Sequence, residues 1–278
     1  MSGEHAVKLL CETLMVSRSG YYDWLGGKES LRAKTDRGLG EQIQTAYAKS
    51  RGTYGSPRIT AVLQSQGCPV GRRRVARLMR AAGFRGRQKR RYRVVTTDST
   101  HDEPVACNLL TRRPPPKQPD EVWLTDITYI QTNEGWLYLA GVLDRCTRRL
   151  IGWSMDTQLD ASLAVAALEM AVRQRRPSPG LIHHSDRGIQ YASAEYRERL
   201  AAHRMVPSMS RPGHCYDNAP MEAFWSTMKN EMVYRRRFLT RAQARIAIFD
   251  YIEGFYNRTR LHSALGFKSP LDYETTLT

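Results

Sequence analysis

The stretch Val122-Trp-Leu-Thr-Asp-Ile-Thr-Tyr-Ile130 decides how this chain folds. Its β-branched and aromatic residues read as a strand, yet Asp126 stands inside it between Leu124 and Ile127. A carboxylate placed there costs several kcal/mol unless a cation or hydrogen bonds compensate, so Asp126 asks for an explanation that most surface acids do not.

Outward from that strand, Asn133-Glu-Gly135 reads as a turn, and Trp136 to Asp144 and Leu150 to Met155 read as two more strands. A helix is expected from Ala161 to Arg173, a short buried strand over Leu181-Ile-His-His-Ser-Asp186, and a helix capped by Ser193 and running to about His203. Met205 to Met209 completes five strands. A helix starting near Asp217 and a long helix from Arg241 to Tyr256, with Ile248, Phe249, Ile252, Phe255 and Tyr256 on its packed side, follow. The order predicts a mixed five-stranded α/β layer with flanking helices across residues 121–278.

Before it, residues 96–120 carry Pro104, Pro114, Pro115, Pro116 and Pro119 and read as a linker. Residues 1–95 show short helical periodicities and read as a small basic all-α domain. In it, Ser56 and Pro57 open a helix, Gly67-Cys-Pro-Val-Gly71 breaks the chain, and a second helix bears Arg72, Arg73, Arg74, Arg77 and Arg80, the order of a helix-turn-helix. A weaker candidate of the same kind spans Cys11 to Leu25.

Charge follows the same division. The chain of 278 residues has a formal net charge of +16, and residues 1–100 hold 20 Lys/Arg against 7 Asp/Glu. Between Arg72 and Arg93 there are eleven basic residues and no acid, ten of them arginine, whose planar fork pairs with phosphate in a bidentate manner. A solvated basic face is the plain alternative, but such a block repels itself unless a polyanion is near, so nucleic acid is the expected partner. Five widely spaced cysteines without a Cys-x-x-Cys pair argue against a disulfide framework and a thiolate zinc site, and fit a reducing cytoplasm. No apolar run approaches the roughly 18 residues of a spanning helix, so no membrane association is expected.

Two further acids stand out. Asp186 ends the Leu181-Ile182 strand, the position at which α/β sheets commonly present chemistry. Glu222 lies at the edge of an apolar stripe formed by Met221, Phe224, Trp225, Met228 and Met232, with Asn218, Ser226 and Lys229 on its side of the helix. Three carboxylates brought together raise one another's pKa, and a divalent cation resolves the conflict. All-oxygen ligands suit Mg²⁺ or Mn²⁺, and a pair of such ions clamps the attacking and leaving oxygens of an in-line phosphoryl displacement. Pairing with arginines such as Arg187 is the plainer reading, but it leaves Asp126 inside its strand unexplained.

The runs Trp123-Leu-Thr-Asp-Ile-Thr128, His184-Ser-Asp-Arg-Gly-Ile-Gln-Tyr191, Asp217-Asn-Ala-Pro-Met-Glu222 and Tyr256-Asn-Arg-Thr-Arg-Leu-His262, with 35 residues between Asp186 and Glu222, carry a family resemblance. The chain resembles the integrase-type transposases of bacterial insertion sequences, specifically the second-reading-frame (OrfB) product of the insertion-sequence-three family. Arg51-Gly-Thr-Tyr-Gly-Ser-Pro-Arg-Ile59 and the arginine helix extend the resemblance into the amino-terminal half.

The resemblance implies a ribonuclease-H-like core in which Asp126, Asp186 and Glu222 hold two Mg²⁺ (or Mn²⁺) ions. It also implies a DNA contact by Lys229 and, in the closing motif, DNA contacts by Arg260 and His262, which together with Arg258 either bind phosphate or only stabilise the terminus. The implied activity is cleavage at element ends to free a 3′ hydroxyl, then strand transfer, without a covalent enzyme intermediate. Implied partners are element-end and target DNA, further copies of the chain on that DNA, and an upstream OrfA product or an OrfA–OrfB fusion. The rivals are a DNA-binding regulator without catalysis, which has no reason to keep the triad, and a nuclease of the same fold that cuts without joining. His184, beside Asp186, is open to a catalytic or a packing role, and Ser210 to Tyr216 reads as a loop that orders on DNA.

Overall fold

The computed structural model describes residues 6–27, 29–87, 103–111, 113–211 and 218–277, and the chain divides into two units, Met1–Arg85 and Gly86–Thr278. Residues 88–102, which include much of the expected basic block, and 212–217, most of the expected loop, lie outside the described residues.

The first unit is helical, with α1 (Val7–Thr13), α2 (Arg18–Leu25), α3 (Leu31–Lys49), α4 (Ser56–Ser65) and α5 (Arg72–Ala81). Leu39 and Ile43 of α3, Ile59 and Leu63 of α4, and Val75 and Met79 of α5 form its buried centre. The apolar spacing on each helix therefore turns one face inward and leaves the arginines of α5 outside. Tyr47 stacks on Phe84 at 4.7 Å and its hydroxyl donates to the Arg85 carbonyl, which holds the end of the unit to α3. The cap of α4 is Gly55 rather than Ser56, with Pro57 in the first turn where its missing N–H is harmless.

In the second unit, β1 (Val122–Thr132), β2 (Gly135–Asp144) and β3 (Leu150–Asp156) form an antiparallel meander. Helix α6 (Ala161–Arg175) crosses over to β4 (Ile182–Ser185), which runs parallel to β1, and β5 (Val206–Met209) follows after α7 (Ile189–Ala192) and α8 (Ala194–Ala202). The sheet order is β3-β2-β1-β4-β5, the ribonuclease-H-like arrangement, with β1 at its centre. Trp123, Ala140, Val142 and Ile151 of the sheet pack with Leu163, Ala167, Leu168 and Ala171 of α6 and with Tyr196 and Leu200 of α8. Gly152 makes this approach possible, because a Cβ there would collide with the Ala167 carbonyl and with Ala171. Helix α9 (Ala219–Glu231) packs on β1, and α10 (Arg241–Phe249) on β1 and β2; α11 (Pro270–Glu274) closes the chain.

Two expectations are corrected here. The later part of the expected linker does not run free: Ala106 packs on the core, Leu110 is buried, the Leu109 N–H donates to Ser208 Oγ at 2.9 Å, and the Asp120 N–H donates to Asp144. Prolines denied these residues regular hydrogen bonding without denying them burial. The expected single helix from Arg241 to Tyr256 becomes a π-helix over Asp250–Tyr256. The wider turn brings Tyr251, Ile252, Phe255 and Tyr256 all inside, while Phe249 is left 55% exposed, edge-on to Trp153.

Candidate active site

The strand register brings the first two acids together. In the parallel pair, Leu124 lies opposite His184, and Asp126 and Asp186 each follow two residues later along the two neighbouring segments. Adjacent strands lie about 4.8 Å apart, so the two residues stand side by side at the centre of the sheet. Both line a cleft of about 90 Å³, with Tyr129, Gly188 and Gln190 among its walls. Asp126 Oδ1 accepts from the Ile127 N–H at 2.8 Å, and Asp186 Oδ1 from the Gly188 N–H at 2.9 Å.

The third acid arrives on α9. Glu222 lies exposed in the first turn, where the helix dipole favours a negative charge. One turn on, the Trp225 Nε1–H donates to Asp126 Oδ2 at 3.1 Å, which ties this helix to β1. Room for that contact comes from Gly141, paired with Asp126 across β1 and β2; a Cβ there would stand 2.8 Å from Met221 Cε and 3.0 Å from the Trp225 ring. At the helix start, Asn218 donates to the Thr125 carbonyl at 3.2 Å, while its buried Oδ1 is without a hydrogen-bond partner.

Burial pushes the Asp126 carboxyl well above the usual range, and the neighbouring Asp186 and, more weakly, Glu222 push it further; the Ile127 and Trp225 N–H groups oppose the rise. Partial burial raises Glu222 as well. Lys229 lies further along α9 with its Nζ 4.7 Å from the centre of the Tyr129 ring; desolvation lowers its pKa and the attraction of Asp126 counters that. The group is thus an acidic site in an environment that resists negative charge. Among the described residues no three acidic, histidine or cysteine side chains are already gathered tightly enough to cage an ion. Asp126 and Asp186 line one cleft, and Glu222 lies near enough to act on Asp126. Oxygen donors alone, with a charge deficit that a dication would cancel, fit Mg²⁺ or Mn²⁺.

The histidines have other duties. His184 is buried between Ser208 Oγ and Ser210 Oγ, each 2.9 Å from a ring nitrogen, so it packs β4 against β5. His183 faces the Tyr196 hydroxyl, and burial lowers it to about 3, which keeps it neutral. Arg187 Nε donates to the Ser210 carbonyl at 2.8 Å.

On α5, Arg72, Arg73, Arg74, Arg77 and Arg80 are all exposed. Arg74 and Arg77 share Asp36 of α3, whose carboxyl they hold below its usual range. That pairing aims the row, and leaves Arg72, Arg73 and Arg80 with no carboxylate partner among the described residues. Arg260, expected to contact DNA, is corrected: it is 4% exposed, and its fork grips Glu231 of α9 at 2.7 and 2.8 Å. A guanidinium in the interior needs an internal counter-charge and cannot reach a phosphate. His262 is half-buried, edge-on to Tyr256 and beside Arg260, so it too braces the fold.

Trp225 and Gly141 escaped the sequence reading. Trp225 was legible only as one member of an apolar stripe; the signal was its N–H, which needs an acceptor when buried and lies one turn from Glu222.

An integrase core domain family matches residues 116–215, a second integrase core domain model matches 203–270, and an HTH-like domain matches 34–92. The chain is 47% identical over 261 residues to the insertion element IS600 uncharacterized 31 kDa protein of Shigella sonnei, covering 94% of this chain and 96% of that one. It is 40% identical over 273 residues to the transposase InsF for insertion sequence IS3A of Escherichia coli (strain K12), covering 98% and 94%. Among solved structures, the HTLV-2 integrase catalytic core domain in complex with magnesium aligns at 16% identity with a TM-score of 0.43, over 56% of this chain and 97% of that chain.

Proposed function

The chain belongs to the family of insertion-sequence IS3 transposases, and we propose that Asp126, Asp186 and Glu222 are the residues with which it cuts element ends and joins them to new DNA. The observation that supports this reading is the nearness of the first two acids: Asp126 and Asp186 line one cleft, and Glu222 lies close enough to raise the Asp126 carboxyl. Two Mg²⁺ or Mn²⁺ ions held by these carboxylates would supply Lewis-acid polarisation of the phosphate and neutralise its charge.

The protein's own groups then have definite tasks. Trp225 would fix the Asp126 carboxylate and the Gly188 N–H would fix Asp186, while Glu222 would act from the first turn of α9. Lys229, beside Tyr129, would meet a phosphate of the end being processed. The reaction exchanges one P–O bond for another twice. Water attacks the element-end phosphodiester and releases a 3′ hydroxyl; that hydroxyl attacks a second phosphodiester and releases a new 3′ end. No side-chain nucleophile is required, and the residues present are suited to in-line displacement rather than to covalent catalysis.

The arginines of α5 would hold element-end DNA, and several copies of the chain would assemble on paired ends in the bacterial cytoplasm, acting with an upstream OrfA product or as a fusion with it. The test of the triad is Glu222→Gln, assayed with Mg²⁺ and a duplex carrying an element end. Binding should match the unaltered protein while cleavage and joining are lost, since phosphodiester exchange has a very high uncatalysed barrier. Retained joining would overturn the assignment.

A further inference from the structure

A second DNA-contacting surface lies on the core unit itself: we propose that Arg236, Arg237 and Arg241 grip the phosphate backbone of duplex DNA beside the β1–β2 hairpin. The inference rests on the reading that phosphoryl transfer takes place at Asp126.

From Met232 to Ile248 the chain carries five arginines and no acid. Arg236 and Arg237 are exposed, and Arg237 Nε donates to Asn133 Oδ1 in the hairpin turn at 3.3 Å. Arg241 Nε donates to the Trp136 carbonyl on the other side of that turn at 3.1 Å. The nearby acid, Glu134, accepts the backbone N–H of Arg241 at 2.8 Å.

The patch continues the active-site cleft. Strand β1 runs from Asp126 to Thr132 and turns where the arginines attach, about 20 Å away at roughly 3.3 Å per residue. Tyr129 lines the cleft, touches Trp136 edge-on at 4.9 Å and carries Lys229 over its ring, so an aromatic and cationic strip joins the two places. One strand of a duplex presents a phosphate about every 3.4 Å of axis, so a path of this length follows about six of them.

The surface is also held in place, unlike a loose basic face. The Asn133 N–H donates to the Phe238 carbonyl at 3.0 Å and Phe238 is buried. The Leu239 N–H donates to Gln243 Oε1, whose own N–H donates to Thr240 Oγ1 at the start of α10. Arginines fixed on a rigid turn lose little side-chain freedom when they meet phosphate, and their forks suit it. Such contacts carry no base information, so the grip is independent of sequence.

The test compares the full chain with a double variant, Arg236→Gln and Arg237→Gln, and with a control of equal charge, Arg173→Gln and Arg199→Gln on α6 and α8. Fluorescence anisotropy follows binding to an element-end duplex and to an unrelated duplex across a salt series in EDTA, with thermal unfolding run alongside. The first double should bind both duplexes more weakly, its salt slope reduced by about 1.8 in log–log units, at about 0.9 per lost contact. The control should keep the original slope. An unchanged slope, an equal fall in both doubles, or a loss confined to the element-end duplex would overturn the proposal. Binding is measured without metal or turnover, so its failure leaves the triad standing.

Discussion

Trp225 on α9 donates its indole N–H to Asp126 at the centre of the sheet, across 3.1 Å. That bond makes the position of the Glu222 helix depend on the orientation of the Asp126 carboxylate, because Trp225 and Glu222 are one helical turn apart. Trp225→Phe keeps the ring and removes the donor. Hydrogen bonds to charged groups contribute about 1.5–3 kcal/mol, so Mn²⁺ affinity, measured by calorimetry, should fall at least tenfold with DNA affinity unchanged. Unaltered Mn²⁺ binding would show that the contact is only packing.

Gly141→Ala tests the same seat from the other side. The added methyl meets Met221, the Trp225 ring and Leu150 Cδ1 at 2.8 to 3.1 Å. Overpacking of this kind costs about 1–3 kcal/mol. Denaturant unfolding should register that loss, and end cleavage should decline further than stability alone explains because α9 is pushed off β1. A variant as stable and as active as the unaltered protein would refute the close approach.

The raised Asp126 carboxyl sets a pH dependence for the metal-free protein. An acid whose folded pKa exceeds its unfolded value binds more protons when folded, so its contribution is full below about 4 and is lost as pH climbs through the raised value. His183, lowered to about 3, works the other way, its contribution being present above about 6.5 and lost as pH falls toward 3. The informative quantity is therefore a difference. Asp126→Asn should gain stability over the unaltered protein as pH rises above 4 in EDTA, and the gap should close when Mg²⁺ is added. A pH-independent gap in thermal midpoints would contradict the burial of a reluctant carboxylate.

Arg260→Ala separates bracing from DNA contact. It leaves the buried Glu231 carboxylate with the Tyr251 hydroxyl but without its cation, and breaking a buried pair in this way costs about 3–5 kcal/mol. Urea unfolding should show a loss of that order, while the salt slope of DNA binding, measured where the variant is still folded, stays as it was. A reduced slope would return Arg260 to the DNA surface.

Neutralising Arg72, Arg73 and Arg80 together should do the reverse. Stability should stay within about 0.5 kcal/mol, as for surface changes away from special contacts, and the salt slope should fall by up to about 2.7. Arg74 and Arg77 are held by Asp36, so substituting them would confound the two effects.

The periodicities that mark the strands and helices are local, and the sequence carried them well. The turn at Asn133-Glu-Gly135, the Ser193 cap and the five strands stand close to where alternation and turn residues placed them. Where local rules failed, a tertiary contact had overruled them. A π-turn buries four aromatic and aliphatic side chains at once from Tyr251 onward, and a proline-rich stretch is laid down by the apolar anchors Ala106 and Leu110. Arg260 misled, and His184 stayed open between two roles, for a related cause: a charged or titratable residue in a motif reads the same whether its partner is a ligand or another side chain.

By itself, the order of residues determined that three acids sit at a strand centre, a strand end and a helix start, and that basic charge gathers in the amino-terminal third. Only the tertiary structure decided that parallel register sets Asp126 beside Asp186, that Gly141 opens the space in which Trp225 fastens the third element, and which arginines face water. Register, close approach and burial depend on residues far apart in the chain being brought within a few ångströms, and no local pattern encodes which distant partner fills a given space.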